Sequence, residues 1–225
     1  MTATNPIQCV IFDCDGTLID SERLCLQALV QTLAEVGTKI DYEALKRDYQ
    51  GIKIHIVLGS LVEDKNVIAG DGMEQLIARY RVISNELFTR YLTTMDGVEV
   101  LLESLIAKGI KICIASNAPH EKMQVTLPLT NLDRYFEGTV FSAFDAQAWK
   151  PDPKMLEYVM DKMQVKAEQC LFIDDSIVGV QAGVSAGIKT LYFAHDEDPD
   201  NPCTIDSPNL VRIEHLGELE NHLSL

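Results

Sequence analysis

No run of 18 apolar residues occurs in this 225-residue chain, so nothing in it reads as a membrane-spanning helix. Basic clusters are missing too. With 19 lysines and arginines against 34 acidic residues the formal charge is -15, and no block of cations stands anywhere. That argues against nucleic acid or an anionic membrane as partner, since both are bound through basic surface. A small anionic substrate stays open, because a local site can hold one against the global sign. The opening MTATNPIQ lacks the basic start and apolar stretch of a signal peptide. The six cysteines show no CxxC or other ligand spacing, and Cys9, Cys113 and Cys170 each sit inside an apolar run, where a thiol behaves as a small hydrophobe. Together these lead us to expect a cytoplasmic protein with reduced thiols. There is no internal repeat, no low-complexity tract and no heptad run, and no oligomeric state is assigned.

What is present is an ordinary globular composition, 47% hydrophobic and 24% charged, enough for a sizeable core. Short β-rich runs recur: QCVIFD (8–13), GIKICIAS (109–116), GTVFSA (138–143), QCLFID (169–174) and KTLYFA (189–194). They are continuously apolar rather than alternating, as parallel strands covered on both faces are. Helical patterns lie between them. VEVLLESLIAKG (98–109) ends in Lys-Gly, and DPKMLEYVMDKM (152–163) offers Asp152 as N-cap with Pro153 in the first turn. This alternation predicts an α/β fold, a doubly wound parallel sheet. It is interrupted once. From about Ser21 to about Tyr91 only helical periodicity is found, and a structureless loop of that length is improbable. The expected organisation is a core of residues 1–20 and 92–225 with an all-helical domain, 21–91, inserted behind the first strand. The acidic, turn-rich segment His195–Asn209 reads as a surface excursion before a short terminal helix.

Ligands of open α/β sheets bind beyond the carboxyl ends of the strands. The first strand runs through VIFDCDGTLIDS (10–21) and delivers Asp13 and Asp15; the second delivers Ser116 and Asn117, and the fourth Asp174 and Asp175. Lys150 follows the third strand. Four carboxylates this close cannot all stay ionised without a cation. A hard divalent ion, Mg²⁺, suits oxygen ligands and favours substrate phosphate. Lys150 adds positive field, Ser116 and Asn117 can donate to phosphate oxygens, and Gly16 lets main-chain N–H groups approach. Asp13, fixed at the strand end, can attack phosphorus. Asp15, on the next turn, can protonate the leaving oxygen and then activate water. Each piece has a blander use as a turn, a cap or a solvated lysine; their coincidence at successive strand ends is what is specific.

These residues resemble the signature of the haloacid dehalogenase superfamily: DCDGTLIDS its first motif, Ser116-Asn117 its second, Lys150 its third and FIDDSIVGVQAG (172–183) its fourth. The resemblance implies a Rossmann-like core and, in 21–91, a helical cap that closes over the substrate. It implies Asp13 as nucleophile, Asp15 as acid/base, and Mg²⁺ held by Asp13, the Asp15 carbonyl and Asp175, with Asp174 direct or one shell out. Dehalogenases of the superfamily lack the second aspartate because halide leaves unprotonated, so Asp15 speaks for phosphoryl chemistry. QGIK (50–53) and DAQAWKPDP (145–153) look like the 6-phosphogluconate phosphatases of this family, with Lys53 a candidate for meeting a substrate carboxylate or hydroxyl.

The expected function is therefore a Mg²⁺-dependent phosphatase acting on a small phosphorylated sugar or sugar acid through an aspartyl-phosphate. A β-phosphoglucomutase-type mutase is the enzymatic alternative. Its histidine after the first motif and its cap arginine correspond here to Cys25 and Ile54, which favours hydrolysis. A phospho-acceptor signalling module is the alternative of another class. Such modules place the acceptor after a middle strand and lack a large insertion behind the first.

Overall fold

The computed structural model describes residues 7–49, 54–196 and 202–223. In chain order the elements are β1 (Cys9–Phe12), α1 (Glu22–Glu35), α2 (Tyr42–Tyr49), α3 (Ile54–Leu61), α4 (Gly72–Tyr91), α5 (Val98–Ala107), β2 (Lys111–Ser116), α6 (His120–Leu129), β3 (Val140–Ser142), α7 (Ala143–Ala146), α8 (Lys154–Met163), β4 (Cys170–Asp174), α9 (Ile177–Ser185), β5 (Lys189–Phe193) and β6 (Leu210–Ile213). A 3-10 turn, Leu216–His222, follows β6. The six strands form one sheet in the order β3-β2-β1-β4-β5-β6, with every pairing parallel. β1 thus runs between β2 and β4, in register Phe12 to Ile114 and Ile173. All three strands end together, which brings their carboxyl-end residues to one rim.

The continuous apolar runs have their expected consequence. Cys9–Phe12 and Cys170–Asp174 are buried at every residue, with helices supplying the cover. Cys9, Ile11, Cys113, Ala115, Cys170 and Phe172 pack with Met155, Leu156 and Val159 of α8. Such a parallel sheet needs cover on both faces, and the βαβ crossovers provide it. All six cysteines are thiols, and Cys9, Cys14, Cys113 and Cys170 are buried. No helix among the described residues is long and apolar enough to cross a membrane.

The chain divides into two compact units, Met1–Ile19 with Thr94–Leu225, and Asp20–Thr93. The second contains only helices among its described residues, α1 to α4. It has its own apolar cluster of Leu26, Leu29, Leu33, Leu45, Val57, Leu58, Val62 and Leu76.

Two local expectations shift. The segment after residue 195 holds a sixth strand, Leu210–Ile213, where only a loop and terminal helix were expected. Four residues including an exposed Arg212 carry too little apolar pattern to read as a strand; pairing with β5 makes it one. At α8 the helix begins at Lys154, with Pro153 in the capping position. Asp152 still serves the helix start, its Oδ1 accepting from Lys154 N at 3.0 Å.

Candidate active site

β1 ends at Phe12, and the next three residues make the turn that carries two carboxylates. Asp13 N still donates to Ile173 O at 2.9 Å, so Asp13 is held by the sheet and is only 7% exposed. Asp15 lies beyond it on a turn closed by Leu18 N to Cys14 O and Gly16 N to Ile19 O, both 2.9 Å. Gly16 has φ +83°, which an L side chain rarely adopts, and a Cβ there would lie 2.2 Å from Asp175 Oδ2. The glycine is what lets the first turn come against the carboxylate after β4.

Asp13, Asp174 and Asp175 each present an oxygen within 4.8 Å of the others. The Asp15 carboxylate stands outside this trio; its Oδ1 accepts from Lys122 Nζ of α6 at 2.7 Å. Lys150, 6% exposed, places its ammonium against Asp13 Oδ1, against Asp174 Oδ2 at 2.7 Å and against Ala115 O at 3.1 Å. Its three N–H groups thus match three acceptors. Asp174 is further held by Ser176, whose N and Oγ donate to its Oδ1 at 2.8 and 2.6 Å. Ser176 Oγ in turn caps α9 by accepting from Gly179 N. A Cβ on Gly179 would fall 1.8 Å from Asp174 Oδ2, so the helix can start this close only through glycine. Asp175 receives Thr17 Oγ1 at 2.8 Å.

Electrostatics follow from this burial. Loss of solvent pushes the Asp13 carboxyl up to about 7, against the pull of Lys150, with Asp174 and Asp15 adding repulsion. Burial opposes the charge of Lys150, but Asp13 and Asp174 outweigh it and raise the ammonium above its ordinary value. Cys14, fully buried between the two aspartates, has its thiol pushed well up, first by desolvation and then by Asp15 and Asp13. A hard cation fits the trio, because three carboxylate oxygens with one lysine leave net negative charge in a dry place.

The site residues expected from sequence fall as follows. Asp13, Lys150, Asp174 and Asp175 come together. Ser116 ends β2, 1% exposed, and its Oγ accepts from Ala118 N at 3.0 Å. Asn117 accepts from Lys150 N at 2.8 Å and donates from Nδ2 to Lys150 O at 3.1 Å. Its side chain therefore braces the lysine loop. Lys53 lies outside the described residues. Sequence reasoning missed Lys122, for a single lysine in the first turn of a helix carries no signal of its own. It also passed over Thr17 and Ser176, whose signals, DGT and DDS, were in view. A cavity of about 490 Å³ lined by Ile110, Lys111, Thr139 and Met163 lies at the amino ends of β2 and β3, the opposite end of the sheet from the carboxylates.

The parallel sheet, the carboxylate rim and the buried lysine agree with what comparison with known proteins finds. Residues 7–187 match the family described as haloacid dehalogenase-like hydrolase, and the chain belongs to that family. It is similar to a 6-phosphogluconate phosphatase of Escherichia coli strain K12, 34% identical over 95% of this chain and 93% of the relative. A phosphorylated carbohydrates phosphatase of Thermotoga maritima is 31% identical over 83% and 84% of the two chains. Among solved structures, a candidate β-phosphoglucomutase from Thermotoga maritima superposes with a TM-score of 0.77 at 26% identity, covering 96% of this chain and 98% of the other. The chain is an enzyme of the phosphatase type within that family.

Proposed function

We propose that the enzyme is a Mg²⁺-dependent phosphatase of small phosphorylated sugars or sugar acids, of the 6-phosphogluconate kind, working through an aspartyl-phosphate. The observation that carries this is the meeting of Asp13, Asp174, Asp175 and Lys150 at adjacent strand ends, with Asp15 one turn further on. Asp13 is the nucleophile: a carboxylate oxygen bonds to phosphorus as the ester P–O bond breaks. Asp15 gives its proton to the departing oxygen. It then takes one from the water that attacks phosphorus, which releases inorganic phosphate and frees Asp13. Ser116 and the Asn117 loop offer donors to the phosphate, and Lys150 supplies positive charge beneath it.

Mg²⁺ would be held by Asp13, Asp174 and Asp175, with the Asp15 carbonyl as a further oxygen, and when bound it offsets the charge of carboxylates and phosphate. We assign substrate choice to the helical insertion as a cap, 21–91, and the setting to the cytoplasm, supported by six thiols and no disulfide. A mutase is the second reading, favoured by the 26% identity to the candidate β-phosphoglucomutase and weakened by Cys25 and Ile54.

The test is inorganic phosphate release from a panel of phosphorylated metabolites that includes 6-phosphogluconate and hexose phosphates, with and without Mg²⁺, beside Asp13→Asn. Release that requires both metal and Asp13 supports the proposal, and the best substrate names what the enzyme selects. Conversion of β-glucose 1-phosphate to the 6-phosphate without phosphate release moves the assignment to the mutase. No turnover of any panel member overturns both.

A further inference from the structure

Every carboxylate of the rim is gripped by a donor. Asp13 has Lys150, Asp174 has Lys150 and Ser176, and Asp175 has Thr17. Asp15 accepts from Lys122, at 2.7 Å and 107 residues away in sequence. We infer that Lys122 is a positioning residue: it fixes the direction in which the Asp15 carboxyl faces, so that proton transfer to the leaving oxygen occurs from one set rotamer.

Asp15 needs such a tether more than its neighbours do. The Asp13 side chain is 10% exposed and that of Asp174 is 0%, whereas the Asp15 side chain is 22% exposed. Hydrogen bonds fix the backbone of its turn, but they leave the side-chain torsions to whatever the carboxyl group touches. The lysine comes from a firm base. Helix α6 is seated by buried Met123, Thr126 and Leu127. The loop that leads into it is tied to the β3 loop by Ser142 Oγ donating to Ala118 O at 2.6 Å and by the two Asn117–Lys150 bonds. A part-buried ammonium on a seated helix can hold a carboxylate with a charge-assisted bond, which an exposed pair would do weakly. A misdirected acid loses rate steeply with small displacement. Lys150 grips Asp13 and Asp174, whereas Lys122 grips Asp15.

The inference rests on the phosphatase assignment, and the test separates the two. kcat/KM is measured with Mg²⁺ for an alkyl phosphate, the best sugar phosphate of the panel, and for p-nitrophenyl phosphate, whose leaving group departs without a proton. The enzymes are wild type, Lys122→Met and Lys122→Arg, with melting temperatures recorded for each. Removal of the tether lowers kcat/KM on the alkyl ester by about tenfold or more, a part of the usual 10²–10⁴ general-acid contribution. It changes the aryl ester by less than about threefold, because that step does not use the acid. Lys122→Arg, which keeps the donor, restores most of the alkyl activity. Equal loss on both esters would overturn the inference and make Lys122 a phosphate-binding group. Unchanged or higher alkyl activity would overturn it too, since a pure charge effect has the other sign: a cation beside a carboxyl group favours its ionised form. A wild type inactive on both esters overturns the phosphatase assignment and the inference with it.

Discussion

The sheet unit and the helical unit solve different problems with the same kinds of residue. In the sheet unit, strands buried at every position stop together and force polar side chains to emerge at one rim, where they must grip one another. In the helical unit, Leu26, Leu29, Leu33, Leu45 and Leu76 form a cluster of their own, and no group of three metal-ligating side chains lies together among its described residues. Charge is spent differently as well. Lys150 is all but buried under two aspartates, while the ion pair of Arg79 with Glu35 lies half-exposed between α4 and α1. The first arrangement costs desolvation and is worth keeping only for chemistry; the second is a solvated pair worth little. The sheet unit thus carries buried charge at its rim, whereas the helical unit rests on apolar packing.

Substitutions can break that contrast, and the largest effect is expected at Asp13. Asp13→Asn keeps the shape of the side chain but removes the proposed nucleophilic oxygen. Phosphate release should fall by about 10³-fold or more, with a cooperative melting transition retained. Lys150→Met should do both kinds of damage. It leaves Asp13 and Asp174 facing each other in a dry site, a loss of about 3–5 kcal/mol in denaturant unfolding along with activity. Replacing Arg79 with methionine should leave the denaturant midpoint nearly unchanged, since its partner stays in water.

In the helical unit the sensitive positions are apolar. Leu33 is fully buried in its cluster, and Leu33→Ala should cost about 2–5 kcal/mol. Amide hydrogen exchange should speed within α1 and α4 while β1 and β4 stay protected, because the cluster that holds Leu33 is made of helical-unit residues. Metal addition sharpens the comparison from the other side. Mg²⁺ at about 100 times its dissociation constant should stabilise the protein by about 2.7 kcal/mol, and Asp175→Asn should lose most of that shift. The smallest effect is expected at Cys14. It is fully buried and its thiol is pushed well above the ordinary value, so alkylating reagents should leave it unmodified in the native protein. Rapid labelling at Cys14, read by peptide mass, would contradict this.

Much of the site was legible because each strand of a parallel sheet carries its local signal right up to the residue that matters. VIFD, CIAS and LFID announce both a buried strand and the polar residue at its end. The helical insertion was legible from periodicity alone, although the short helix Ile54–Leu61 and the four-residue strand Leu210–Ile213 were not marked out. The helix, IHIVLGSL, has no charged face to set a period, and the strand, LVRI, carries an exposed arginine among three apolar residues. The long-range side-chain partnerships were not legible, and the local ones were only hinted at by DGT and DDS. That Asn117 braces the Lys150 loop, or that Ser176 turns back on Asp174, depends on atoms brought together across the sheet or around a cap.

By itself, then, the sequence determined the alternation of strand and helix, the position of the insertion and the identity of the carboxylates at the rim. These depend on local pattern and on the chirality that makes βαβ units wind one way. Tertiary structure alone decided how those carboxylates are held. It seated Lys150 between Asp13 and Asp174, set Asp175 and Asp174 against the bare backbones of Gly16 and Gly179, and brought Lys122 to Asp15 from 107 residues away. The reason is range. Backbone propensity acts over a few residues, whereas a hydrogen bond of 2.7 Å between the turn after β1 and α6 exists only once β1 and β2 have paired.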